Sequence, residues 1–289
     1  MLRHSKNQVF QNDVAILKKY TDDYFRITLF KSLRKKGFEL ADEYKEEKGT
    51  ATKNTANNDQ KLVESLSRTR SRIFEIAMCN DWEFYATLTL NKEYKDRYSL
   101  DTFRKQLTKW LNNYNSKHGT KIKYVLVIET HKDGAFHAHG FFMGIPLEHL
   151  EQLEIGDNLP FELLILIQRG REIYNWPAYA DTFGFTTLEP IHNKEAVAKY
   201  ITKYITKSIG DTHVGLNNHL YYCSKGLNRA TEERRGYLTK ELEADYSNDY
   251  IAVKVVRSIE EAYSYFDELQ EDFNEHQSES FQGEVCHEN

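Results

Sequence analysis

Two histidines in the segment YVLVIETHKDGAFHAHGFFMG, residues 124–144, have a spacing that could bind a metal ion. The segment is typical of a β-hairpin, with a β-branched arm, a DG turn and a second arm rich in aromatic residues. Side chains two positions apart share one face of a strand, so His137 and His139 should point the same way. Glu129 on the first arm would lie beside them. An imidazole pair with a carboxylate suits a divalent cation that keeps open coordination positions.

Other interpretations of this motif remain open. The two histidines could be hydrogen-bonded residues of the core or the surface. A histidine-triad nucleotide hydrolase would need a third histidine where Phe141 stands, and a cupin would need a glutamate shortly after His139, so the sequence fits both families poorly. His131, close to the turn, competes with Glu129 as the third ligand.

A second group of reactive side chains lies in KEAVAKYITKYITKSI, residues 194–209, which has the apolar spacing of a helix. Tyr200 and Tyr204 are one turn apart on one face, and Lys203 and Lys207 each follow a tyrosine by three positions. Packing in the core is the alternative use of such a tyrosine stripe. A tyrosine could instead attack a phosphodiester that a metal ion and a lysine polarise, which would give a covalent phosphotyrosine and preserve the bond for rejoining.

The combination of HAH at 137–139 with YITKYITK at 200–207 resembles the HUH endonucleases. Within them it is similar to the two-tyrosine rolling-circle replication initiators of small bacterial plasmids and single-stranded DNA phages. ATLTL at 86–90 resembles the first motif of these initiators, and HLYYCSKGLNRA at 219–230 resembles the segment after their tyrosine helix. The resemblance covers about residues 82–230.

This resemblance implies a function and a role for each candidate residue. His137 and His139 would bind Mg²⁺ or Mn²⁺ with Glu129, and Tyr200 or Tyr204 would form a 5′-phosphotyrosine link, assisted by the two lysines. The protein would nick single-stranded or supercoiled origin DNA and rejoin the strands. The chain contains no GxxxxGK[ST] loop, so we expect a host helicase to unwind the DNA.

Three other functions remain open. A transposase or relaxase of the same superfamily is the nearest, although paired tyrosines favour an initiator over a single-tyrosine transposase. A non-catalytic RRM-like protein would bind nucleic acid by stacking bases on the aromatic residues of its sheet. An unrelated metal-dependent hydrolase would use the tyrosines only for packing.

Several elements are predicted to position these residues. We expect a strand at Glu83–Leu90, a helix from the N-cap Ser99 to Tyr114, and then the hairpin. FELLILIQ favours a helix but is ambiguous with a buried strand, GFTTLEPI favours a strand, and Asn193 can cap the tyrosine helix. The predicted fold is α+β, with a ferredoxin-like or RRM-like antiparallel sheet and helices packed on one face.

Three segments are predicted along the chain. Residues 1–80 should be a helical extension, with helices at Val14–Phe30 and Lys61–Met78 joined by a polar linker. Residues 81–240 should form the catalytic domain. Residues 241–289 should be an acidic tail, either a solvated helix or a disordered segment.

The charge of the chain is unevenly distributed. The net charge is −5, but residues 241–289 hold fourteen acidic and two basic residues, which leaves +7 on the first 240. A basic body suits contact with phosphates. Arg68, Arg70 and Arg72 are close together in SRTRSR and are candidate DNA-binding residues.

Cysteine content and hydropathy restrict the class of protein further. The three cysteines form no CxxC pair, which argues against a zinc ribbon or a disulfide scaffold. The first ten residues lack the apolar run of a signal peptide, and no stretch is long enough to span a bilayer. We therefore expect a cytoplasmic protein with no membrane partner.

Overall fold

The computed structural model describes residues 7–36, 68–93, 97–130, 134–201 and 221–266. It contains two compact units, one made of residues 1–52 with 230–289 and the other of residues 53–229. Each unit has its own antiparallel sheet. The described elements are therefore α+β, as the sequence predicts.

The unit of residues 53–229 is built on a seven-stranded sheet. Its strands are β3 (Phe84–Thr89), β4 (Lys123–Thr130), β5 (Phe136–Met143), β6 (Glu151–Gln152), β7 (Tyr174–Asn175), β8 (Thr186–Pro190) and β9 (Tyr221–Cys223). Its helices are α1 (described over 68–79), α2 (Leu100–His118), α3 (Phe161–Gln168), α4 (Pro177–Ala180) and α5 (described over 194–201), with a 3₁₀ turn at Leu147–His149. The strand order is β6-β7-β8-β3-β5-β4-β9, which places β3, β5 and β4 side by side in the sheet.

Helix α2 begins and ends where its sequence specifies. The Ser99 side chain caps the N-terminus by accepting from the Thr102 amide, and Gly119 ends the helix in the left-handed conformation at φ 66°. Its apolar face, Phe103, Leu107 and Leu111, recurs every four residues and packs in one core cluster with buried residues of the sheet. The predicted strand, capped helix and hairpin are confirmed in this order.

The sheet is buried on both faces near its centre. Strand β3 alternates buried Phe84, Ala86 and Leu88 with half-buried residues, and the buried set belongs to the cluster around α2. On the opposite face Phe141 is also buried, and its ring lies 5.8 Å from that of Trp82, which follows α1. Helix packing is therefore not limited to the face that α2 covers.

The other unit holds a five-stranded sheet. Its strands are β1 (Asn7–Thr21), β2 (Tyr24–Lys36), β10 (Thr231–Tyr237), β11 (Tyr246–Ser247) and β12 (Ile251–Val256), in the order β10-β1-β2-β12-β11, and α6 (Ile259–Tyr263) follows β12. One face carries a core that includes Ala15, Leu17, Phe25 and Ile27.

The helix predicted at Val14–Phe30 is wrong, because these residues form the β1–β2 hairpin. Alanine, leucine and lysine favour a helix locally, but Ala15 and Leu17 are buried at alternate positions and pair across to Leu29 and Ile27. Pairing with the distant strands β10 and β12 decides the structure. The second predicted helix is confirmed over 68–79, and residues 61–67 lie outside the described residues.

The predicted acidic tail is also corrected in its first part. Strand β12 pairs with β2 on one side and β11 on the other, so it is an interior strand of the sheet. The acidic residues around it hid the apolar segment IAVKVV. Compactness therefore groups residues 230–266 with the N-terminal hairpin, in contrast to the predicted boundaries at 80 and 240, while residues 267–289 lie outside the described residues.

Candidate active site

The candidate site lies where three neighbouring strands present side chains on one face. In the register of the sheet, Glu129 of β4 is opposite His137 of β5, which is in turn opposite Thr89 of β3. His139 is opposite Thr87 of β3. The predicted convergence of Glu129 with the two histidines on adjacent strands is therefore found in the structure.

Threonine hydroxyls fix the orientation of both imidazoles. Nδ1 of His139 lies 3.2 Å from Oγ1 of Thr87, and Nδ1 of His137 lies 3.5 Å from Oγ1 of Thr89, a weaker contact. In both rings Nε2 is then the nitrogen that could coordinate a cation. Partners of this kind orient the histidine ligands of metal sites.

One carboxylate already contacts this histidine pair. Nε2 of His139 lies 3.1 Å from Oε2 of Glu129, and both side chains are largely buried, with 13% and 15% of their surface exposed. The His137 and His139 rings are parallel within 7°, and their centroids are 6.3 Å apart. The two imidazoles thus form a stacked row along β5, with the carboxylate at one end.

The donor set has the chemistry that a hard or borderline divalent cation requires. Two ligands at right angles on an octahedral ion, each about 2.1 Å from it, are about 3.0 Å apart, close to the separation of His139 and Glu129. Over the described residues, however, no three His, Cys, Asp or Glu side chains are close enough together to form a complete metal site. The structure thus supplies a histidine–carboxylate pair with a second imidazole beside it.

Tyr200 reaches the same face from helix α5. Asn193 caps this helix as predicted, accepting from the Ala196 amide at 2.9 Å, and Lys194 bonds Asp81 at 2.8 Å. Ala198 and Ile201 are fully buried, whereas Tyr200 is 46% exposed. The described turn therefore packs on its apolar side and keeps this tyrosine in contact with solvent.

Tyr85 of β3 connects the tyrosine helix to the histidines. Its ring meets that of Tyr200 edge to face at 5.8 Å and is nearly parallel to that of His139, at 6.4 Å and 12°. A third contact, 6.1 Å edge to face, joins it to Phe141. The phenol of Tyr200 is thus one aromatic ring away from His139.

A glycine allows the two ligand-bearing strands to approach closely. Gly140 follows His139 and is paired with Leu126 of β4. A Cβ atom on Gly140 would overlap the carbonyl oxygen of Val125 and would lie 2.9 Å from Cα of Leu126. The glycine after HAH is therefore required by packing at the site.

The remaining candidate residues are distributed as follows. Arg68 and Arg72 are exposed on α1 and Arg70 is half-buried. His131, Lys203, Tyr204 and Lys207 lie outside the described residues. Their assigned roles stay predictions.

Sequence reasoning missed three residues of the site, Tyr85, Thr87 and Thr89. They alternate in FYATLT with the buried residues of β3, so a period of two could have placed them on one face. Only the pairing of β3 with β5 shows that this face is the one that carries the histidines.

Among the described residues, no helix is long and apolar enough to cross a membrane.

Comparison with known proteins gives one finding for this site. No curated protein and no solved structure gives a significant match to the chain. Residues 83–209 match the model of a family described as replication-associated protein, of the ORF2 type. The matched segment begins at the start of β3 and contains both histidines, Glu129 and both tyrosines. The match supports a replication-initiator-like protein that takes part in DNA replication and binds origin DNA.

Proposed function

We propose that this protein is a HUH-type initiator that nicks origin DNA through a tyrosine and later rejoins the strands. The observation that carries the proposal is the contact between His139 and Glu129, with His137 on the same face and Tyr200 one ring away. The match of residues 83–209 to a replication-associated family adds independent support. The unwinding that rolling-circle replication needs would come from a host helicase.

The chain's own residues would prepare the reacting groups. The threonines of β3 hold the imidazoles with Nε2 directed away from that strand, and Glu129 holds Nε2 of His139. Mg²⁺ or Mn²⁺ bound by His137, His139 and Glu129 would withdraw charge from the scissile phosphate. His131 remains the alternative third ligand.

The covalent step exchanges one phosphoester for another. The phenol oxygen of Tyr204 or Tyr200 attacks phosphorus, the bond from phosphorus to the 3′ oxygen breaks, and the phenol proton is transferred to that departing oxygen. The products are a 5′-phosphotyrosine and a free 3′ hydroxyl. Lys203 and Lys207 would stabilise the charge that develops on the phenolate and the phosphate. Because the number of phosphoester bonds is unchanged, the reverse reaction rejoins the strand.

Two tyrosines would serve two successive attacks. Initiation needs one nucleophile, and ending a round of synthesis needs a second while the first is still esterified. We expect Tyr204→Phe to lose most initial cleavage and Tyr200→Phe chiefly to impair strand transfer. The double variant should form no adduct.

Covalent-adduct formation tests the proposal directly. Labelled supercoiled plasmid carrying the cognate origin is incubated with the protein and Mg²⁺, and the products are separated in denaturing detergent. We expect a nicked plasmid with covalently linked protein, lost with a chelator and in the His137→Ala and His139→Ala variants, whose DNA binding should persist. Glu129→Ala should be nearly as harmful and His131→Ala milder. The reverse ranking would make His131 the third ligand.

Three outcomes would refute parts of the mechanism. Full nicking by the double histidine variant in Mg²⁺ would exclude the metal site. Nicking without an adduct on either tyrosine would make water the nucleophile. Binding that needs no metal and gives no nick with wild-type protein would favour a non-catalytic nucleic-acid-binding protein.

A further inference from the structure

The β1–β2 hairpin continues beyond the strands that flank it. β1 and β2 pair from Asn7 opposite Lys36 to Thr21 opposite Tyr24. The neighbouring strands are shorter: β10 pairs with β1 only over 14–19, and β12 pairs with β2 only over 25–30. In the part of the chain that the structure describes, residues 7–11 and 32–36 therefore pair only with each other. We call this two-stranded segment the ribbon.

A β-bulge marks the point where the ribbon leaves the sheet. Gln11 is opposite Ser32, but the next pair is Val14 with Phe30, so two residues of β1 stand opposite Lys31 alone. An extra residue of this kind bends a strand and increases its twist. The ribbon is therefore set at an angle to the five-stranded sheet.

The ribbon carries the most basic part of the hairpin. The strands β1 and β2 hold seven lysines and arginines and one acidic residue, Asp13, in a chain whose net charge is −5. Three of the basic residues, Arg34, Lys35 and Lys36, are consecutive at the end of the ribbon. Because consecutive positions of a strand alternate between its two faces, a run of three basic residues contributes positive charge to both. Such a run suits an element with phosphates on either side of it.

The opposite strand adds residue types that hydrogen-bond base edges. Asn7 and Gln8 are paired with Lys36 and Lys35, and Gln11 is paired with Ser32. Asparagine and glutamine amides can bond both hydrogen-bonding atoms of adenine in the major groove. Five residue pairs make a ribbon about 17 Å long, at about 3.4 Å per residue, with strands about 4.8 Å apart. The major groove, about 12 Å wide, admits a two-stranded ribbon of this size.

We propose that the ribbon inserts into the major groove of double-stranded DNA and holds the chain on the duplex part of its origin. The ribbon belongs to the compact unit of residues 1–52 and 230–289, whereas the candidate active site belongs to the other. The inference rests on the replication role of the protein and does not depend on the nicking chemistry. Duplex binding and single-strand cleavage would then be separate properties of the two units.

Protection against strand addition is the competing explanation for the charges. A projecting pair of strands has unpaired edges, and lysines on such edges discourage association with other chains. This explanation predicts aggregation when the charges are removed, with no change in DNA affinity.

Salt-dependent binding distinguishes the two explanations. The Arg34→Gln, Lys35→Gln, Lys36→Gln variant of the full chain is compared with a matched variant in which three exposed lysines of α2, at 105, 109 and 117, are replaced by glutamine. The probes are a fluorescent duplex of random sequence, about 30 base pairs long, and an oligo-dT strand of about the same length, titrated by anisotropy over a range of NaCl concentrations. Each lost phosphate contact lowers the slope of log K against log salt by about 0.9 on duplex DNA.

The expected result is specific to the ribbon variant and the duplex. We expect roughly a tenfold loss of duplex affinity at about 100 mM salt and a slope smaller by about 2, from two or three lost contacts. Oligo-dT binding should change less than about twofold, and the α2 variant should match wild type on both probes. Equal losses in both variants, equal losses on both probes, or unchanged duplex affinity in the monomeric fraction of an aggregating variant would each overturn the proposal.

Two further measurements use controls within the same protein. In wild-type protein, acetylation of Lys35 and Lys36, read by mass spectrometry, should fall about threefold or more when the duplex is bound, while the α2 lysines stay reactive. This result does not depend on the folding of a variant, and unchanged acetylation would refute insertion. Adduct formation on a single-stranded origin oligonucleotide should be retained by the ribbon variant. If wild type forms no adduct, the proposed nicking fails while the anisotropy result still decides the role of the ribbon.

Discussion

Replacing Gly140 by alanine should destabilise the unit that carries the candidate site. The added Cβ would overlap the carbonyl oxygen of Val125 and lie 2.9 Å from Cα of Leu126, and both obstructing atoms belong to the backbone of β4. A flexible side chain could turn away from the new atom, but a paired strand can yield only by shifting its hydrogen bonds. Overpacking costs about 1–3 kcal/mol in ordinary cores, and we expect about 3 kcal/mol here.

Tryptophan fluorescence is a specific assay for this effect. The three tryptophans of the chain, Trp82, Trp110 and Trp176, all lie in the unit of residues 53–229. Their emission therefore reports the unfolding of that unit by urea or heat. A loss of about 3 kcal/mol corresponds to a fall in Tm of about 6–12 °C for a unit of this size. Adduct formation should fall as well, because the contact between His139 and Glu129 spans the two strands that would separate.

Gly119→Ala is the matched control. Gly119 has a left-handed φ of 66°, but no atom lies within 4 Å of the position its Cβ would occupy. Only backbone strain, about 1 kcal/mol, should result. The reasoning would be refuted if Gly140→Ala unfolded at the same urea concentration as wild type, or at a higher one than Gly119→Ala.

Two further predictions concern side chains around the site. Tyr85→Phe keeps the ring contacts and should keep adduct formation within about threefold of wild type, whereas Tyr85→Ala should raise the Mg²⁺ concentration for half-maximal activity and the reactivity of Tyr200 toward nitration; unchanged values for both would show that Tyr85 does not position these groups. Burial raises the pKa of the Cys223 thiol above its ordinary value of 9.0, against the opposing effect of nearby Arg229 and Arg72. With the other two cysteines replaced by serine, the iodoacetamide alkylation rate should therefore reach half its maximum only above pH 9.0, and a midpoint at or below this value would contradict the burial.

The sequence alone determined the elements around the site, because their signals are local. Ser99 and Gly119 mark the ends of α2, Asn193 caps α5, and the DG turn separates the arms of the hairpin. The spacing of HAH fixes both histidines on one face of a strand whatever the rest of the fold. The α+β class and the pairing of Glu129 with the histidines could be predicted for the same reason.

Long-range pairing decided the features that the sequence did not reveal. The segment 14–30 has the composition of a helix, but strands about two hundred residues away or more pair with both arms of the hairpin and make it a sheet. Likewise the apolar strand β12 was hidden among acidic residues until its partner β2 was known.

Tertiary structure also selected the partners of the candidate ligands. Tyr85, Thr87 and Thr89 are ordinary strand residues in the sequence, and their contacts with the imidazoles exist only because β3 pairs with β5 in one register. A shift of one residue would turn all three to the opposite face. The strand residues specify which side chains can share a face, and the packing of distant segments decides which faces meet.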